Sequence, residues 1–137
     1  MAENCIFCKI VQKEADASFV YEDEQVIAFM DIRPVSEGHT LVITKQHFVD
    51  IFDIPETLIS KLQVLTKRVA LAVKKVTNAD GISVVQQNGK AAGQDIFHIH
   101  VHIIPRFEGQ KMPQFGELRV QDRENLEDVA IKIRKYI

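Results

Sequence analysis

The chain has 137 residues, of which 46% are hydrophobic and 26% charged, the proportions of a globular domain long enough to bury its own core. Residues 1–137 are therefore read as a single domain. A formal net charge of −2 gives no general attraction for nucleic acid or an anionic membrane, and no stretch approaches the roughly 18 apolar residues that a membrane span requires. The start, Met1 to Cys5, shows no basic segment leading into an apolar run, so no signal peptide is expected and the cytoplasm is the expected location.

Both cysteines fall in Cys5-Ile6-Phe7-Cys8, a spacing that suggests a metal knuckle or redox chemistry rather than a disulfide framework. A redox Cys-x-x-Cys should follow a strand and open a long helix. Here it stands at the chain start, which favours the metal. The segment is expected as a short helical turn with Ile6 and Ile10 facing inward. Phe19–Tyr21 and Val26–Met30 are strand-like runs joined by a polar turn, as in a hairpin. Asp31 to Gly38 is a loop punctuated by Pro34 and Gly38. His39–Thr44 returns as a third, largely buried strand, and Lys45-Gln46-His47 leads away toward solvent.

A long helix comes next. Leu58, Leu62, Leu65, Val69, Ala72 and Val76 recur at helical spacing and make one apolar stripe. Lys67, Arg68, Lys74 and Lys75 read as its solvated face, and Asp53 with Glu56 suggests a capping box at its start. Asn78-Ala79-Asp80-Gly81 ends it. Ile82–Gln87 is a fourth strand, followed by a loop with two glycines, 88–95, of the kind whose backbone can approach an anion. Phe107 to Gly116 looks irregular, and Leu126, Val129, Ala130 and Ile133 mark a terminal helix.

The most informative stretch is Phe97-His98-Ile99-His100-Val101-His102-Ile103-Ile104-Pro105. Its alternation predicts a strand with apolar side chains in the core and three imidazoles on the opposite face. Five histidines in 137 residues make an accidental His-x-His-x-His improbable, on the order of 0.005 matches, so the pattern points to function. Outer histidines about 13 Å apart along a strand suit a row lining a cleft better than one metal with bonds of ~2 Å.

His98-Ile99-His100-Val101-His102-Ile103-Ile104 resembles the motif of the histidine-triad (HIT) family, and the resemblance covers most of the chain: Cys5-Ile6-Phe7-Cys8, Asp31-Ile32-Arg33-Pro34 and Gly93-Gln94 stand in the same order. The chain looks like the bacterial-type members of the Hint-like branch. The resemblance implies an α+β, HIT-like fold: an antiparallel sheet of about five strands, one long helix and a C-terminal helix, usually as a homodimer. It implies a nucleotide hydrolase or transferase that cleaves at the α-phosphate of nucleoside phosphoramidates or related adenylates, through a covalent nucleotidyl-histidine.

By that resemblance His100 is the nucleophile, His102 a phosphate contact and His39 a companion histidine. Asp31 would bind ribose hydroxyls of an AMP-type purine nucleotide, Phe29 and Ile32 would flank the base, and Asn88, Gly93, Gln94 and His102 would approach the phosphate. Zinc-containing members imply a structural zinc on Cys5, Cys8, His47 and His98. Asp95 stands where such proteins often have serine; a carboxylate repels phosphate, so it is left out of the binding set. Pro105-Arg106 is similar to the ending in dinucleoside polyphosphate hydrolases, one alternative activity. A zinc-stabilised nucleotide sensor or adaptor with little turnover, and a metal-dependent hydrolase using the triad as ligands, are the others.

Overall fold

The computed structural model describes residues 4–111 and 118–137. In chain order the elements are α1 (Ile6–Val11), β1 (Phe19–Glu22), β2 (Val26–Met30), β3 (Thr40–Thr44), α2 (Glu56–Thr77), β4 (Gly81–Gln86), β5 (His100–Arg106) and α3 (Arg123–Arg134). The five strands form one sheet in the order β1-β2-β3-β5-β4, every pair antiparallel. The α+β architecture expected from the sequence is therefore the observed one. Part of the irregular tail expected over Phe107 to Gly116 lies outside the described residues, as do the first three residues of the chain start.

Register sorts the side chains onto two faces. Ala28, Val42 and Val101 pair across β2, β3 and β5 on one face; Phe29, Leu41 and His102 form a row on the other, beside Ile27, Ile43 and His100. The first face packs against α2 and α3 through Leu62, Leu65, Val69, Val73, Leu126, Val129 and Ile133, with Ile99, Val101 and Ile103 at its centre. Each fully buried isoleucine there contributes about 1.5–3 kcal/mol by leaving water. The second face carries a smaller cluster, Ile27, Phe29, Leu41 and Ile43, covered by Phe7 and Ile10 of α1. Antiparallel sheets often leave one face wet. Here both are covered at the centre, and β2 and β3 are buried at every position.

Four local expectations change. The histidine strand begins at His100 rather than Phe97, because Ile99 N–H donates instead to the Phe48 carbonyl (2.7 Å). His98 leaves the row and turns toward the cysteines, so the evenly spaced row of three half-exposed imidazoles does not form, and His98 and His100 are both buried. The Asp53–Glu56 capping box is absent: α2 starts from Pro55 with no side-chain cap, while Asp53 accepts from the Val49 and Asp50 N–H groups to close the preceding turn. Finally, Ile10 is buried as expected, but Ile6 is 44% exposed. The basic residues of α2 are on the solvated side, and Asn78, with φ of 57°, ends that helix in the left-handed conformation.

Candidate active site and metal cluster

Where α1 and the 31–39 loop meet the histidine face, the chain encloses a cleft of ≈ 370 Å³, within the range of small-ligand sites. Its apolar walls are Ile6, Phe7, Ile10, Phe29, Ile32, Leu41 and Ile96; its polar groups include Asp31, His39, Asp95, His100 and His102. Ile6 is exposed because it faces this cleft rather than the core. The i, i+4 spacing of Ile6 and Ile10 marks an apolar face of α1, yet periodicity cannot distinguish a core from a cleft wall.

Backbone partners assign the histidine tautomers. His100 Nδ1 lies 2.7 Å from the His98 carbonyl. An oxygen there can only accept, so Nδ1 carries the proton and Nε2 keeps its lone pair. Phe7 packs edge-on against this ring, with centroids 5.1 Å apart, and burial pushes the imidazole below the ordinary histidine range. His39 Nδ1 accepts from the Val35 N–H (3.0 Å), which leaves the proton on His39 Nε2. That nitrogen is 3.0 Å from His102 Nδ1, so His39 donates and His102 accepts. The remaining proton of His102 must then sit on Nε2. A main-chain amide thus sets, through two rings, which edge of His102 is a donor.

Burial pushes His39 down to about 3 and His102 down to about 4, each lowered further by neighbouring imidazoles; both are neutral at pH 7. The 3.4 Å approach of His39 Nε2 to Asp31 Oδ2 is therefore an N–H facing a carboxylate, not an ion pair. Asp31 Oδ1 accepts from the Arg33 N–H (2.9 Å). Burial, with help from the Asp95 charge, raises the Asp31 carboxyl to about 6. Asp31, His39 and His102 also lie close enough to be considered as metal ligands. However, His39 Nε2 bears a proton, which makes the trio a hydrogen-bond chain.

The loop residues are placed differently from the cleft residues. Gln94 is buried, its Nε2 donating to the Val49 (2.6 Å) and Ile96 (3.1 Å) carbonyls and its Oε1 accepting from Gly89 N–H (2.8 Å). Both amide protons are thereby used inside the protein, so its side chain braces the loop instead of offering them to a phosphate. Asn88 Oδ1 likewise accepts from Ile51 N–H and Gln86 Nε2. Gly93 has φ of +95°, and a Cβ there would come within 2.6 Å of Gln87 Nε2, which explains glycine at this turn. None of the three lines the cleft; Asp95, set aside on charge, does. Arg33 and Arg123 also line it; Arg33 stands inside the Asp31–Pro34 segment but was given no role, and no sequence pattern marked Arg123.

A second group lies beneath α1. Cys5 Sγ and His98 Nδ1 are 3.4 Å apart, Cys8 Sγ and His47 Nδ1 3.4 Å, Cys8 Sγ and His98 Nδ1 3.6 Å. The four donor atoms lie within 4.8 Å of one another. A tetrahedron with bonds of ~2.3 Å to sulfur and ~2.05 Å to nitrogen has S···N edges of about 3.5 Å, so the set fits a metal. His98 Nε2 is 2.6 Å from the Thr44 carbonyl. This puts its proton on Nε2 and turns the Nδ1 lone pair toward the thiols, the outer hydrogen bond that metal-bound histidines use. His47 turns to Cys8 rather than to open solvent.

Fold and cleft together define an α+β domain with a histidine-lined cleft on one face of its antiparallel sheet. A family model described as HIT domain matches residues 12–109, and the chain belongs to the HIT family. It is similar to a Hit-like protein involved in cell-cycle regulation from Bartonella henselae, with TM-score 0.91, 40% identity and coverage of 100% of this chain and 99% of that one. A Zn-bound histidine triad family protein from Mycobacterium smegmatis matches with TM-score 0.85 and 39% identity, over 97% of this chain and 92% of that one. Adenylylsulfatase HINT3 of Arabidopsis thaliana is 36% identical over 108 residues, covering 79% of this chain and 55% of the plant protein.

Proposed function

We propose that the chain, acting as one cytoplasmic domain, is a nucleotide hydrolase or transferase that cleaves at the α-phosphate of AMP-type phosphoramidates or related adenylates. The observation that carries this reading is the His100 tautomer: an Nε2 lone pair opens on the cleft while Nδ1–H is anchored to a main-chain oxygen. Nε2 attacks phosphorus, and the bond to the leaving group breaks with its electron pair on that group. Water then resolves the nucleotidyl-histidine, so two easier displacements replace one. His102 Nε2–H donates to a nonbridging oxygen, with His39 as the residue that fixes its tautomer. Asp31 accepts from ribose hydroxyls, and Phe29, Ile32, Ile6 and Phe7 pack on the purine. Gly93, Asn88 and Gln94 shape the loop beside the phosphate. The name of the adenylyl-sulfate-cleaving plant relative supports the adenylate class.

Cys5, Cys8, His47 and His98 would hold a structural zinc that ties α1 to the sheet and so keeps Phe7 against His100. The Zn-bound mycobacterial homologue supports the metal, and two thiolates suit a reducing compartment. No helix among the described residues is long and apolar enough to cross a membrane. The homodimer implied by the resemblance would use the outer edge of β4, where Val84 and Val85 are exposed; light scattering gives its mass.

The deciding experiment compares wild type with His100→Ala on adenosine 5′-phosphoramidate, alongside calorimetric binding of AMP. The variant should lose turnover and keep AMP binding, and quenched wild-type reactions should carry labelled nucleotide on His100. Turnover in the variant equal to wild type would refute the mechanism, and binding without turnover by either protein would favour a sensor.

A further inference from the structure

Asp95 stands at the rim of the cleft, with Oδ1 4.0 Å from His100 Nε2 and its side chain 79% exposed. None of the ion pairs among the described residues joins it to a lysine or arginine. Its charge is therefore uncompensated at short range, and its influence extends across the cleft, where it helps to raise the Asp31 carboxyl. Charge repulsion from phosphate is a reason to expect no carboxylate here, yet one lies beside the reacting nitrogen. The conflict is removed if its partner is not the phosphate.

We infer that Asp95 is a specificity-determining residue that selects the leaving group by charge, favouring cationic amines and disfavouring anionic groups such as polyphosphate. The inference rests on the reading of His100 as nucleophile. When Nε2 bonds to phosphorus, the P–N bond of a phosphoramidate breaks with its electron pair on nitrogen. That nitrogen takes a proton from solvent and departs as an amine. Water then adds to phosphorus, releases a proton to solvent and frees the nucleoside monophosphate and neutral His100. A carboxylate a few ångströms from phosphorus attracts a positive charge carried by the departing amine. It repels a departing phosphate or carboxylate through the same distance. For an exposed charge at roughly 6 Å the effect on kcat/KM is about tenfold, and it declines with salt because the group is open to solvent.

The test uses two AMP phosphoramidates built on alkylamines of equal length, one ending in an ammonium and the other in a carboxylate, with diadenosine triphosphate as a third substrate. Wild type should prefer the ammonium compound by about tenfold in kcat/KM, less in 0.5 M salt as screening grows. Asp95→Asn, which keeps shape and removes charge, should bring the ratio near one and raise relative turnover of diadenosine triphosphate. A merely structural role would change all three substrates together. An unchanged ratio in Asp95→Asn, or a wild-type preference for the carboxylate compound, overturns the inference while leaving the nucleophile intact. Absence of turnover for every substrate, with no nucleotide trapped on His100, refutes the proposed function and this inference with it.

Discussion

Asp31→Asn should make the protein more stable at pH 8 while weakening nucleotide binding. Asp31 ionises at about 6 in the folded chain against an ordinary 3.8, so the folded state holds this proton more tightly than the unfolded state. The resulting penalty is absent below about pH 3.8, grows up to about pH 6 and is complete above it, where it reaches about 3 kcal/mol. Asparagine removes the penalty and can still accept from the Arg33 N–H. Its amide group would, however, face the His39 Nε2–H that now lies 3.4 Å from Oδ2, a donor against a donor that offsets part of the gain. The net expectation is about 1–2 kcal/mol of added stability at pH 8, or about 3–8 °C in Tm.

Urea denaturation of both proteins at pH 8 and pH 5 isolates this group, because the other titrating residues are common to both. The advantage of the variant should shrink by about 1.5 kcal/mol at pH 5, where the wild-type carboxyl is mostly protonated when folded. AMP affinity should fall about tenfold or more, as expected for hydrogen bonds to a charged acceptor, whereas 2′,3′-dideoxy-AMP should bind both proteins alike. An advantage that is equal at both pH values, or larger at pH 5, would show that Asp31 is not a desolvated carboxylate, and the ribose role would lose its electrostatic basis.

His102→Ala should lower kcat about 10²–10³-fold, the usual effect of losing one donor to a developing oxyanion; AMP binding measured in parallel separates this from misfolding. Purified untagged protein should contain about one zinc per chain. Cys5→Ser should lose it and melt at a lower temperature, since serine preserves the N-cap that Cys5 supplies to the Cys8 N–H and removes only the metal ligand. Zinc below one per two chains in the wild type, unaffected by the substitution, would reject the site. Gly93→Ala should destabilise by about 1–2 kcal/mol in a denaturant melt, because φ of +95° is strained for alanine and its Cβ would crowd Gln87.

Much of the architecture was legible from periodicity. The stripe from Leu62 to Ala72, the buried set Leu126, Val129, Ala130 and Ile133, and the alternation Ile99, Val101, Ile103 all appear in one core. These signals survive because burying an apolar face is the dominant favourable term, and its period is written into the chain. Local polar signals were less reliable. Asp53 has the spacing of a cap but closes an upstream turn instead, since several nearby N–H groups compete for the same carboxylate. Ile6 has the pattern of a core residue and faces the cleft.

The chain alone determined that three imidazoles alternate with aliphatics, that two thiols sit three residues apart, and that a long helix carries one apolar stripe, because strand and helix periods depend only on order along the backbone. Tertiary structure decided which nitrogen of each imidazole is a donor, why His98 joins the cysteines while His100 opens on a cleft, why Gln94 braces a loop, and why Asp95 stands beside the reacting edge. For His98 and His102 those outcomes depend on carbonyls and amides of residues distant in sequence, Thr44 for His98 and Val35 with His39 for His102. A ring's protonation pattern is set by whatever the fold brings against it.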